Sequence, residues 1–209
     1  MMFGRLFGGR GKDKPAPAVE HPCDLAQGGF LKLGFVAPEG LVQAELQVTG
    51  IHAIDLGSAV RRVITVEAIG LGKLEMWRGE RGTIALARPL DRPDVERLFD
   101  IDEFSRLFDP DEPANVVLER LAEPAGLEGW TAQVYRQEAA QEAYRHDADP
   151  AVTAIGASLD DEARPFDFIR LVDDQRGHAL EAYVHDGGRT DVVLVALLSE
   201  TAVEEVWSG

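Results

Sequence analysis

Cysteine is almost missing from this chain. Cys23 is the single one among 209 residues, which excludes an internal disulfide framework and any multi-cysteine zinc or iron–sulfur centre. Basic residues are scarce as well: 21 Lys and Arg face 37 Asp and Glu, for a net charge of −16. A general nucleic-acid binder needs a basic face to neutralise phosphates, so no nucleic-acid partner is expected. The longest apolar run, residues 192–198, is far shorter than the roughly 20 residues that cross a bilayer as a helix. No Gly-x-Ser-x-Gly elbow, His-Glu-x-x-His or Cys-x-x-Cys occurs, so the common nucleophile and metal signatures are missing. Gly70-Leu71-Gly72 lacks the third glycine of a dinucleotide loop and reads as a turn. Nor is there a repeat of fixed period.

What the chain does have is 45% hydrophobic and 28% charged residues, the composition of a globular protein. Its length suits one large domain or two small packed ones. The charge is unevenly placed. In the first 14 residues Arg5, Arg10, Lys12 and Lys14 stand against Asp13, among Met1, Met2, Phe3, Leu6 and Phe7. This stretch lacks the apolar core and cleavage site of a secretory signal. Phe3, Arg5, Leu6, Phe7, Arg10 and Lys12 suit a short amphipathic foot on an anionic membrane or a partner, each basic residue contributing about 1 kcal/mol. Glycines at positions 4, 8, 9 and 11 weaken a helix there, and a frayed, solvated end is the other reading. Lys14-Pro15-Ala16-Pro17-Ala18 reads as an extended linker. It sets a flexible basic segment, residues 1–24, apart from a globular β-rich domain, residues 25–209. That domain is either one unit or two packed sub-domains, 25–112 and 113–209.

Strand signals fill the first half, at 30–35, 43–48, 62–69, 73–78 and 83–87. The short turns between them leave no room for crossover helices, which predicts an antiparallel meander. Residues 91–121 change to helical character. On one continuous helix, Val95, Leu98 and Phe99 would lie opposite Ile101, Phe104, Leu107 and Phe108, so a break is expected near Asp100. Pro110 and Pro113 end the second helix, and 114–121 reads as a third. Strand character returns at 129–137, while 137–145 suits helix or strand and 151–158 reads as a strand after Pro150. Three further strands, 166–172, 179–185 and 191–198, are joined by hairpin turns at 173–177 and 186–189. A closing helical turn from Thr201, with Glu204 completing a capping box, would dock Val203, Val206 and Trp207 on the sheet. The expected fold class is α+β: mostly antiparallel sheet with a few short helices in the middle and at the C-terminus. The pattern is compatible with one sheet or two.

Titratable residues offer no ready-made site. Cys23 lies in the linker beside Pro22 with no base in sequence reach, which suits an ordinary thiol. His178 and His185 stand at the two ends of one strand, about 23 Å apart, too far to share a metal ion. His146 adjoins Asp147, but alternate strand side chains point to opposite faces, and His52 stands alone. Carboxylates cluster at Asp100/Asp102/Glu103, Asp109/Asp111/Glu112, Asp160/Asp161/Glu162 and Asp173/Asp174. A calcium loop needs glycine at its sixth position, where the two Asp-x-Asp stretches carry Ser105 and Ala114. Solvated turns and helix caps account for these clusters, so no catalytic, cofactor-binding or metal-ligating residue is expected.

The order of segments adds one resemblance. Met-Phe-Gly-Arg-Leu-Phe-Gly-Gly after Met1 leads through a linker into glycine-punctuated strands, then Val95-Glu96-Arg97-Leu98-Phe99-Asp100, the 129–135 segment, and Phe166-Asp167-Phe168-Ile169-Arg170-Leu171. In this the chain resembles the YjfK-like family of bacterial proteins over about residues 25–207. The resemblance rests on general pattern and brings no catalytic residues with it. Genes of that family often neighbour those for phage-shock-protein-A-like membrane coat proteins and small membrane proteins, which implies an envelope-associated role.

Three functions follow as expectations. The first is a non-enzymatic cytoplasmic adaptor acting through protein contacts, peripheral to the inner membrane, with an acidic body suited to a basic partner surface. The second is a small-molecule- or cation-binding β domain. The third is an enzyme, which would need a concave pocket joining carboxylates with a histidine such as His146 or His178.

Overall fold

Tight turns between β-branched runs produce a meander in each half of the chain. The computed structural model describes residues 21–36, 38–109, 115–152 and 163–209. In the first half β1 (Phe30–Leu33), β2 (Glu45–Asp55), β3 (Val60–Ala68), β4 (Gly72–Arg78) and β5 (Thr83–Leu90) follow one another. Helices α1 (Arg92–Leu98) and α2 (Ile101–Ser105) and the short β6 (Val117–Glu119) form the middle. Then come β7 (Val134–His146), β8 (Arg164–Val172), β9 (His178–His185), β10 (Thr190–Ser199) and β11 (Val203–Trp207). Gly187 and Gly188, at φ 84° and 82°, supply the left-handed turn that the β9–β10 hairpin requires. All eleven strands of the described residues join one antiparallel sheet in the order β11-β1-β2-β3-β4-β5-β10-β9-β8-β7-β6. A single sheet therefore spans both halves.

The sheet also closes on itself. Residues 53–55 of β2 run antiparallel to residues 144–146 of β7, which turns β2-β3-β4-β5-β10-β9-β8-β7 into an eight-stranded ring. Two four-stranded meanders meet at two seams, a long one between β5 and β10 and a short one between β2 and β7. Both strands of the short seam lead double lives. The first half of β2 pairs with β1 and the first half of β7 with β6. In each, the register shifts midway, between Val48 and Gly50 in β2 and between Gln137 and Ala139 in β7. Such bulges bend a strand sharply, which lets it leave a flanking flap and enter the ring.

Side-chain alternation gives the ring two distinct faces. Ile54, Val63, Trp77, Ala85, Phe168 and Val195 belong to the smaller cluster, which fills the inside. The opposite face carries Ile64, Met76, Leu86, Leu180 and Leu194, buried in a larger core with Leu31, Leu98, Phe99, Trp130 and Tyr135. Strand β10 is covered on both sides, and this accounts for its continuous apolar run at 192–198.

The helix break falls where the opposed faces require it. Asp91 caps α1 by accepting from the Asp94 amide at 2.8 Å, and Asp100 caps α2 by accepting from Asp102 and Glu103. Phe99, between the two helices, stacks on Phe104 at 6.0 Å and meets Tyr135 edge-on at 5.9 Å.

Elsewhere the structure corrects the sequence reading. Residues 117–119 form a strand, not a helix, because Leu118 alone points inward and the backbone pairs with β7. The C-terminal helix is also replaced by a strand. After one 3-10 turn (Glu200–Ala202), capped by the Ser199 side chain, β11 docks on β1 with Trp207 opposite Phe30. Trp130 lies in a turn ahead of β7, and the ambiguous stretch 137–145 is strand. Residues 151–152 form a turn, while 153–158 lie outside the described residues, as do residues 1–20 with Phe3, Arg5, Leu6, Phe7, Arg10 and Lys12. The packed chain includes His21 and Cys23, both buried. There His21 Nδ1 accepts from the Cys23 amide, and Arg62 donates to the carbonyls of Cys23 and Leu25.

Candidate functional site in the barrel lumen

Charged side chains on the inward face of the ring meet across it. Arg61 on β3 and Glu181 on β9 stand on opposite walls, four strands apart either way round. They form a two-pronged pair, Nη1 to Oε2 at 2.8 Å and Nη2 to Oε1 at 3.2 Å. The Tyr183 hydroxyl donates to the same carboxylate at 2.7 Å. Trp77 lies 4.4 Å beneath the guanidinium and Phe168 at 5.5 Å, so the cation rests between aromatic faces. Glu181 is only 1% exposed. Burial, and then the neighbouring Glu181 charge, push the Tyr183 pKa well up, which keeps its hydroxyl protonated as a donor.

This cluster acts as a septum with a cavity on either side. The first, of about 630 Å³, opens at the β2–β3 and β4–β5 hairpins, and Arg61, Trp77, Phe168, Arg170, Val195 and Leu197 face it. The second, of about 690 Å³, opens at the β9–β10 turn, lined by Glu75, Arg145, Phe166, Tyr183, His185 and Asp191.

The first cavity holds an arginine with a buried donor left unpaired. Arg170 Nε lies 3.7 Å from Glu181 Oε1 and 3.8 Å from Glu138 Oε2, beyond hydrogen-bond range, and this buried nitrogen has no partner. Glu138 is itself turned toward Arg176, 2.8 Å away. It occupies the bulge of β7, the extra residue that re-aims a side chain out of the alternating pattern.

The second cavity is built around Glu75. Its carboxyl, raised in pKa by burial, lies 3.7 Å from His52 Nε2 and 3.8 Å from Arg145 Nη1. Burial, and then the Arg145 charge, depress the His52 pKa to about 4, so its imidazole is neutral near pH 7. At the rim His185 Nε2 meets Asp191 Oδ2 at 3.0 Å.

The histidines singled out for an enzyme site lie elsewhere. His178 Nε2 contacts the Gly129 carbonyl at 3.1 Å, outside the ring, and His146 pairs with Ala53 in the short seam. Asp100 is a helix cap, and Asp173 accepts from the His178 amide in a turn. Among the described residues no three His, Cys, Asp or Glu side chains group to hold a metal ion. Cys23 is buried, and this burial, with the Asp24 charge, raises its thiol pKa to about 12. It should stay unlabelled by a disulfide reagent in the native protein at pH 8 and react fully in denaturant. Stoichiometric labelling of the native protein within a minute would contradict that burial.

Sequence reasoning missed Arg61, Glu181 and Glu75, and left His52 standing alone. A usable signal was there in two cases: Leu180-Glu181-Ala182 and Leu74-Glu75-Met76 each set one carboxylate inside an apolar run. Comparison with known proteins gives no match to any family model, curated protein or solved structure. No helix among the described residues is long and apolar enough to cross a membrane.

Proposed function

We propose that the barrel is a container for a small molecule, held in its lumen. The observation that carries this reading is the β2–β7 closure, which encloses cavities instead of leaving an open sheet face. Their sizes fall within the roughly 300–1,000 Å³ of ligand sites, and they combine apolar walls with a few convergent polar groups. A panel of neutral, anionic and cationic amphiphiles, read by thermal unfolding, tests it. A ligand at 100 times its Kd adds about 2.7 kcal/mol, worth roughly 5–10 °C in a domain of this size. Such a rise is expected with the native protein and not with Ala85→Trp, which fills the first cavity, or with Val193→Trp, which fills the second, whichever holds the ligand. No rise with any panel member would remove the container reading.

A second reading, a protein-contact adaptor beside the membrane, has one structural observation in its favour. Among the described residues β11 forms an outer edge of the sheet, with Trp207 on it 42% exposed and Phe30 on the adjacent β1 40% exposed. Such an edge suits addition of a partner strand. The resemblance to the YjfK-like family points the same way. Pull-downs with the full chain and with a version lacking residues 1–14 separate the outcomes: stoichiometric recovery of a membrane-associated protein by the full chain alone supports the adaptor, and recovery of the bait alone by both removes it.

A further inference from the structure

We propose that the first cavity binds a monoanionic amphiphile, its carboxylate on Arg170 and its apolar body along Trp77 and Phe168. This rests on the container reading and adds the chemical class of the ligand. Beside this cavity the guanidinium groups of Arg61 and Arg170 face the carboxylates of Glu138 and Glu181, and the exposed Arg176 reaches Glu138 from outside the cavity lining. The other cations on the wall are matched: Arg62 by Asp149 at 2.8 Å, and Arg78 by Asp24 at 3.0 Å. Glu80 sits on the exposed β4–β5 turn. Both carboxylates near Arg170 thus have a closer cation, Arg61 at 2.8 Å from Glu181 and Arg176 at 2.8 Å from Glu138.

Geometry singles out one of these cations. Both prongs of Arg61 are taken by Glu181 and Arg176 pairs with Glu138, so Arg170 is left with a buried Nε that makes no hydrogen bond. A buried donor of this kind is costly to leave unmade, and an arginine fork matches a carboxylate. Beyond it the wall turns apolar, with Leu56, Ala85, Val195 and Leu197 beside the two aromatic rings. A charged head with a hydrocarbon tail fits both parts. A neutral ligand would leave the Arg170 Nε unpaired, and a cation would meet like charge.

Decanoate is the probe, titrated calorimetrically into the full chain alongside 1-decanol and decylammonium. Decanoate is expected to bind saturably, and decanol at least about tenfold more weakly, which is the loss of one charge-assisted hydrogen bond. Decylammonium should not bind. Arg170→Gln should weaken decanoate about tenfold or more while leaving decanol unchanged, Arg170→Lys should recover part of the loss, and Arg145→Gln at the other mouth should change nothing. Equal binding of decanoate and decanol would overturn the anion assignment and leave the container reading standing. An equal loss on Arg145→Gln would move the site to the second cavity and overturn the proposal. Absence of any decanoate binding overturns it too, while the container reading is judged by the wider panel. The decanoate–decanol comparison uses the native protein, so it decides even if a variant fails to fold.

Discussion

Removing one partner of the lumen pair should cost far more stability than removing both. Glu181→Ala leaves the Arg61 charge buried and unpaired, and an uncompensated charge of that kind costs about 3–5 kcal/mol. Tyr183 also loses its acceptor, since its hydroxyl donates to the same carboxylate. The double variant Arg61→Met, Glu181→Leu replaces the pair with apolar groups of similar reach. Exchanges of this kind are often neutral or stabilising, so it should lie within about 2 kcal/mol of the native protein. Urea unfolding of the two single variants and the double variant completes the cycle. If Glu181→Ala cost less than about 1 kcal/mol, the carboxylate would not be the buried counter-ion described.

The second large effect is an acid sensitivity carried by His52. Its pKa is about 4 in the folded protein and 6.5 unfolded. Between these values the unfolded chain binds the proton more readily, so stability is complete above pH 6.5 and falls as the pH drops toward 4. At 1.36 kcal/mol per unit, the loss amounts to about 3 kcal/mol. Glu75 works in the opposite direction. Its pKa is raised by burial, so the folded protein takes up that proton more readily, and part of the loss is offset on acidification. His52→Gln should flatten the profile. Urea midpoints at pH 7, 5.5 and 4.5 measure it, and an unchanged slope in the variant would assign the sensitivity to another group.

The parts of this fold that were legible in the sequence are the local ones. Hairpin turns flanked by β-branched residues marked β8, β9 and β10, and the clash of apolar faces placed the break at Asp100. The closure of the ring has no local signature. It depends on a few pairings between residues 53–55 and 144–146, and on a bulge at Thr49 beside Gly50, which resembles any other glycine in a strand. β6 is too short for a periodic pattern, with only Leu118 turned inward. For the site, the difficulty was distance. Arg61 and Glu181 become neighbours only after two meanders have been rolled together, and neither residue's surroundings in sequence name the other.

The two seams also set an order of events. Each meander is made of hairpins between adjacent strands, which assemble from contacts close in sequence. The β5–β10 seam joins segments roughly 100 residues apart, and its closure entropy must be met before any pairing rewards it. The halves are therefore expected to gain structure early and to dock late. At that moment the faces around Trp77, Phe168 and Val195 are exposed to water, together with the open edges of β2 and β7. A half-assembled molecule of this design is prone to exchange strands with a second copy. The short β2–β7 contact, the smaller of the two seams, is what removes that opportunity.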